Sequence, residues 1–244
     1  MWEEQQLSLL FRVLLRDPHL SFIDVGANIG VYTMFAAALR RFTIAIECFK
    51  PNVIRIVKAV QLEHVQNHVV LIENAIFSKS GQLVKLESIS DNIGSQAIKG
   101  ILSINQSLND PFIAKTIRFD DILPVLQKNH VRSAIMKVDI EGSEHLLCQT
   151  GHTIFEQFDI PVIQMEWQYV RRYKNRAEIK LIMVIPSFED LILNEILEVG
   201  SLRIAACEKS NLSRDKRDYD FEEKTADVLM AYATIFIYKI IILM

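Results

Sequence analysis

Cysteine is scarce, and the three present, Cys48, Cys148 and Cys207, lie far apart with no metal-ligand spacing. That excludes a disulfide-stapled miniature fold and a cysteine-based zinc site, and it reads as free thiols in a reducing compartment. No signal peptide opens the chain. Met1 is followed at once by Trp2, Glu3 and Glu4, with neither a basic n-region nor an apolar h-region. Absent signals imply the cytoplasm, or the secretory pathway if the chain is truncated at its N-terminus. A basic stripe is missing too. The formal net charge is -3, so no nucleic-acid partner is expected. The dinucleotide fingerprint Gly-x-Gly-x-x-Gly does not occur, which argues against a nicotinamide cofactor. Internal repeats and low-complexity linkers are absent, and 244 residues suit one domain of generous size.

Long hydrophobic runs are nearly absent. From Val228 to Met244 only Lys239 is charged. The run is slightly under spanning length and carries that charge inside it, so it reads as a strand and an apolar tail. Membrane association is therefore not expected. At the other end Leu7, Leu10, Phe11, Leu14 and Leu15 recur at helical spacing and predict an amphipathic helix, stopped by Asp17-Pro18.

What is present is alternation. Short apolar runs at 20–25, 42–47, 69–73, 82–86, 134–140 and 161–167 predict strands. Helical patterns at 29–40, after Pro51, at 141–150 and at 186–199 separate them. This is the signature of a doubly wound, mostly parallel α/β sheet. Residues 202–207 and 226–238 predict a last antiparallel pair. The stretch 88–115 is polar and reads as one long irregular loop, with Asn92 and Gly94 near its start forming either a surface turn or part of a pocket.

Four strand ends carry chemistry. The first runs into Asp24-Val25-Gly26-Ala27-Asn28-Ile29-Gly30. Glycines there permit a sharp turn and close ligand approach, and the following helix start offers N–H groups to an anion. The bland alternative is a tight β–α turn. The second strand ends in Glu47, placed to accept hydrogen bonds from two ribose hydroxyls, or else merely solvated. The fifth presents Lys137 and Asp139 on one side, then Glu141 and Glu144. These are site groups at the edge where open α/β sheets bind ligands, or an ion pair plus acids favouring a helix N-terminus. A further strand ends in Glu166 and Trp167, which either line an acceptor pocket or, for Trp167, cover the core.

Taken in order, FIDVGANIGVYT (22–33), AIECFKPN (45–52), NAIFS (74–78), DNIGSQ (91–96), FDDIL (119–123) and MKVDIEGSEHLLCQTG (136–151) resemble the FkbM family of methyltransferases. The likeness is firm over roughly residues 20–170 and looser at ADVLMA (226–231). Cys48 departs from it, standing where the family usually has proline. The resemblance implies a Rossmann-like class I methyltransferase domain over 20–238, with 1–19 as a helix packed on it and 239–244 as an apolar tail. It also implies S-adenosylmethionine as cofactor and a small-molecule or glycan hydroxyl as acceptor. The cofactor set is then Asp24, Gly26, Ala27, Asn28, Gly30, Glu47, Asn74 and Asn92. The catalytic set is Asp139 as first choice for base, with Glu141, Glu166 and Lys137, while His145 is expected to be solvated. A divalent metal held by Asp139, Glu141 and Glu166 would suit hard oxygen ligands, though their convergence is not legible in sequence. A chain of the same fold that binds cofactor without turnover is the alternative.

Overall fold

The protein was analysed as a computed structural model, which describes residues 4–88, 96–102, 109–166, 196–199 and 202–206. Parallel pairing joins β1 (Ser21–Val25), β2 (Thr43–Glu47), β3 (Val69–Glu73), β8 (Ser133–Val138) and β9 (Asp159–Glu166) in the order β9-β8-β1-β2-β3. Two antiparallel strands, β11 (Leu202–Ala206) and β10 (Ile196–Val199), extend the sheet beyond β9. The inner strands β1 and β2 are buried throughout, as near-continuous apolar runs flanked by helices must be.

Period-two alternation sorts the side chains of these strands between two layers. Ile23, Val25, Ile44, Ile46, Met136 and Val138 face one core. That core is completed by a 3-10 turn (Phe119–Ile122) and by helices α4 (Leu123–Lys128), α5 (Glu144–Thr150) and α6 (His152–Gln157). Phe22, Ile135 and Ala45 face the other side, beneath α1 (Glu4–Arg16), α2 (Val31–Ala38) and α3 (Lys50–Leu62). The sheet is thus wound on both faces. Among the described residues no helix is long and apolar enough to cross a membrane.

A second, four-stranded sheet runs β4 (Ala75–Ile76), β7 (Ile113–Ile117), β5 (Leu83–Ser88), β6 (Gln96–Ile101). Its presence corrects the reading of 88–115 as one irregular loop. Strand β6 is an edge strand with half-buried and exposed side chains, so its sequence lacks the apolar run that marks a strand. A further correction concerns the far edge. Residues 196–199, read as the end of a helix, are a strand. And β11 lies between β9 and β10 in the sheet. Residues 186–195 and 226–238 lie outside the described residues.

Helix α1 docks through alternate turns. Leu10 and Leu14 are buried against Phe22, Tyr32 and Ala36, with Leu7 and Val13 beside them. The stripe is narrower than its spacing suggests, because Leu15 points outward at 54% exposure while Leu10 is at 2%. Arg41 ties the helix end down, its guanidinium donating to the carbonyls of Leu14 (2.7 Å) and Pro18 (2.8 Å). Leu10→Ala should therefore destabilise the protein by about 2–4 kcal/mol in urea titration, whereas Leu15→Ala should stay within about 0.5 kcal/mol. Equal effects would show that α1 is not docked on this face.

Candidate functional site

The C-terminal ends of β1, β2 and β8 open into a cleft. Gly26, Asn28 and Glu47 line it from the main sheet, and Asp139, Ile140, Glu141 and Ser143 from the segment after β8. Asn74, Ala75, Ile76, Gln96 and Ile98 come from the second sheet and the loop entering it. The second sheet is therefore one wall of the site.

Backbone crowding shapes the floor. Gly26 (φ 78°) sits where β1 leaves the sheet, and a Cβ there would land on the carbonyl oxygen of Asp139. Glycine is required there so that the protein can pack against itself. Gly30 (φ 89°) precedes α2, and a Cβ would lie 2.9 Å from Ile56 Cγ1 on α3. The loop's amides are also engaged. Gly26 and Ala27 N–H donate to Ile46 O, Gly30 N–H to Ala27 O, and Asn28 N–H to Glu47 Oε2 at 2.7 Å. Those four donors are thus spent inside the protein.

Glu47 is buried with both carboxylate oxygens engaged, Oε2 by Asn28 and Oε1 by the Phe49 N–H at 2.7 Å. Burial pushes its carboxyl up to about 7, against the lowering effect of those two amides. Asn28, in the left-handed region at φ 52°, accepts from Asn52 Nδ2 at 3.2 Å, which ties the loop to α3.

On the opposite strand Lys137 and Asp139 form an ion pair, Nζ to Oδ2 3.3 Å. Lys137 is buried, donates to Gly26 O at 3.1 Å and lies over the Tyr32 ring. It lies beneath the loop, outside the cleft lining, while Asp139 reaches the cleft at 24% side-chain exposure. Asp24 is likewise interior. It is fully buried, accepts from Thr33 Oγ1 at 2.6 Å and does not line the cleft. Burial raises its carboxyl, opposed first by the Lys137 charge.

Glu141 is not helical, as its spacing suggested; it has φ 54° and is followed by Gly142 at φ 95°. The turn carries its side chain to the cleft, where Oε2 is buried without a hydrogen-bond partner. Glu144 opens α5, and its Oε1 accepts from the N–H groups of Ile140 (3.2 Å) and Gly142 (3.3 Å), holding that turn. His145 is half-buried on α5.

Of the residues singled out in sequence, Gly26, Asn28, Glu47, Asn74, Asp139 and Glu141 meet in the cleft. Asp24, Ala27, Gly30 and Lys137 support it from behind. Asn74 is held by its Nδ2 on Lys115 O at 2.9 Å. Asn92, Trp167 and the side chain of Glu166 lie outside the described residues. Cys48, Ser143, Gln96 and Ile98 line the cleft without having been assigned a role. Cys48, Gln96 and Ser143 carried a signal, each inside one of the motifs of the family resemblance, whereas Ile98 lies in none of them. No group of three or more His, Cys, Asp or Glu suited to a metal ion occurs among the described residues.

The sequence profile of the methyltransferase FkbM domain matches residues 24–200. Similar solved structures include an rRNA methylase from Streptococcus thermophilus, at 10% identity and TM-score 0.43 over 84% of this chain and 95% of that one. Another is a precorrin-6y C5,15-methyltransferase from Geobacter metallireducens, at 10% identity and TM-score 0.41 over 76% of this chain and 72% of that one. Among curated proteins none matches the chain.

Glu144 makes a pH prediction. Its carboxyl is pushed up to about 7, chiefly by burial, from 4.5 when unfolded. The folded state then holds a proton that the unfolded state has released. This contribution is complete below about 4.5 and is lost as pH rises through about 7. Glu144→Gln keeps the acceptor oxygen and carries no charge. Its stability should equal that of the parent at low pH and exceed it by about 2–3 kcal/mol at pH 8, read by urea unfolding. A gap independent of pH would remove Glu144 from this role.

Proposed function

The chain belongs to the FkbM methyltransferase family, and from that premise we propose that it moves a methyl group from S-adenosylmethionine to a hydroxyl of a sugar or other small acceptor. The observation that carries the reading is the meeting of Glu47, Asp139 and Glu141 in one cleft at the carboxyl ends of parallel strands, where open α/β sheets bind ligands.

The residues fit such a cofactor. Glu47 is fixed by two backbone amides, and each of its oxygens retains a lone pair for a ribose hydroxyl. Glu141 Oε2 is a buried acceptor in want of a donor, a costly state that a bound ligand would relieve. Asn28, Asn74 and Gln96 add amide groups, and Ile46, Ile76 and Ile98 add apolar surface. When bound, S-adenosylmethionine supplies a methyl group on a positively charged sulfur. Holding acceptor and cofactor in line is the protein's main contribution. Asp139 accepts the acceptor's proton as the oxygen attacks. Lys137, ion-paired to Asp139 and bonded to Gly26 O, fixes that carboxylate relative to the cofactor loop. Mass spectrometry of cell fractions incubated with isotopically labelled S-adenosylmethionine tests the activity. Binding by calorimetry without any labelled product would favour a non-catalytic binder.

Two variants test the assignments. Glu47→Ala should weaken S-adenosylmethionine binding by about 2–3 kcal/mol at pH 8. Hydroxyl donors favour the ionised carboxylate, so parental affinity should fall as pH drops below about 7, and the variant's should not. A parental pH profile that persists in Glu47→Ala would sink the ribose role.

Asp139→Asn should lower the single-turnover rate by about 10²- to 10⁴-fold with cofactor affinity nearly unchanged. A variant that melts early but turns over normally would leave Asp139 as a structural partner of Lys137 only.

A further inference from the structure

Helices α1, α2 and α3 lie side by side on one face of the sheet, and the surface they turn away from it has an unusual make-up. Leu15, Val31, Phe35, Ile54, Val57 and Leu62 are exposed there, Phe35 at 43% and Leu62 at 76%. These side chains are not a dissolved core, because each helix already buries a separate stripe. Leu10 and Leu14 serve α1, Tyr32 and Ala36 serve α2, and Ile56 and Val60 serve α3. The helices that carry them are packed together: the Phe11 and Phe35 rings meet edge to face at 5.9 Å between α1 and α2, and Gly30 at the start of α2 lies against Ile56 of α3. Apolar patches of this kind on a globular protein mark an interaction surface.

Charge identifies what it meets. From Gln5 to Arg16, from Val31 to Ala38 and from Lys50 to Leu62 the three helices contain no aspartate or glutamate. Their exposed charges are Arg12, Arg16, Lys50, Arg55 and Lys58, with Arg40 just past α2. No carboxylate among the described residues pairs with any of them. Glu4 is the first residue of α1, and Asp17 and Glu63 each follow the last residue of a helix. This bias runs against the chain's net charge of -3. A second copy docked by symmetry would set these cations against one another, and a nucleic acid would have no use for the aliphatic groups. Aliphatic and aromatic side chains ringed by long cationic ones suit a lipid headgroup boundary, where apolar groups enter the acyl region and lysine and arginine reach the phosphates.

We propose that the α1–α2–α3 face is a peripheral membrane-binding surface that recognises anionic lipid. Spanning a bilayer and adhering to its surface make different demands, so the lack of a spanning helix among the described residues does not bear on it. Ile29, at 50% exposure, follows cleft-lining Asn28 and stands two residues before α2. A docked chain would hold its site at the lipid–water boundary.

Vesicle sedimentation of the full chain tests this. Phosphatidylcholine vesicles with about 30% phosphatidylserine should retain the protein at low salt and release it as salt rises, while phosphatidylcholine alone should retain far less. Arg12→Gln with Lys58→Gln should weaken retention by more than about tenfold, since each cation near such a surface is worth about fivefold. Ile54→Ser with Leu62→Ser should weaken it by a similar factor, with melting temperatures close to the parent's for both. Failure to bind, or equal binding to both vesicle types, overturns the proposal. So does parental binding by both double variants, which would put the contact elsewhere. A dimer in light scattering that both variants break, without vesicle binding, would assign the face to self-association instead.

Discussion

The site depends on one backbone crossing. Gly26 leaves β1 so close to the Asp139 carbonyl that no side chain fits between them. The contact is held by Asp139 N–H on Val25 O at 2.9 Å and by Gly26 N–H on Ile46 O at 2.9 Å. The ends of β2, β1 and β8 are thereby laced into one edge, and their side chains cannot shift independently. Glu47 and Asp139, from strands on either side of β1, then face a common space. Had β1 ended in an ordinary residue, the β8 end would be pushed away and the two carboxylates separated.

Beneath that crossing runs a buried polar stripe. Register places Asp24 beside Lys137 and Lys137 beside Gln164, across three adjacent strands and on the α2 side of the sheet. Thr33 caps Asp24, and the Tyr32 hydroxyl accepts from Gln164 Nε2 at 3.4 Å. Satisfaction is incomplete, since Asp24 Oδ1 and Gln164 Oε1 are buried without hydrogen-bond partners. Such a stripe is a poor source of stability, because desolvating the charges offsets most of their attraction. Its effect is positional: α2 can seat only where Tyr32 and Thr33 meet the stripe, and Lys137 carries that constraint up to Gly26 O and Asp139.

This arrangement explains what was legible in the sequence. Central parallel strands are buried on both faces and so appear as apolar runs, which is why β1, β2, β3, β8 and β9 were readable. Their charged ends stood out by contrast, and Glu47, Asp139 and Glu141 do line the cleft. Asp24 and Lys137 stood out equally, yet they serve the interior; a charge at a strand end is visible in sequence, while the face it takes depends on register with its neighbours. The edge strands were opaque for the opposite reason. Gln96–Ile101 mixes polar and apolar residues because one side is solvated, and Ile196–Val199 is too short to separate a strand from a helical turn. The left-handed turn at Glu141 was hidden as well, since only Gly142 hinted that the helix starts later.

The same residues give the molecule a polarity that composition conceals. Carboxylates Glu47, Asp139 and Glu141 gather in the cleft, while the exposed charges described on α1, α2 and α3 are the cations Arg12, Arg16, Lys50, Arg55 and Lys58, among apolar side chains. The two regions meet at one loop, because Asn28 lines the cleft and Ile29 beside it is exposed. A near-neutral net charge thus sums two fields of opposite sign at neighbouring surfaces. Within about a Debye length those fields act separately. The buried Glu47 belongs to the first field only when ionised. With its carboxyl pushed up to about 7 by burial, the cleft's negative charge is set by occupancy as well as by pH, since donors arriving at Glu47 favour the ionised form. Charge in the cleft and ligand in the cleft are therefore one linked equilibrium, and the loop from Gly26 to Gly30 couples it to the helix that begins the basic face.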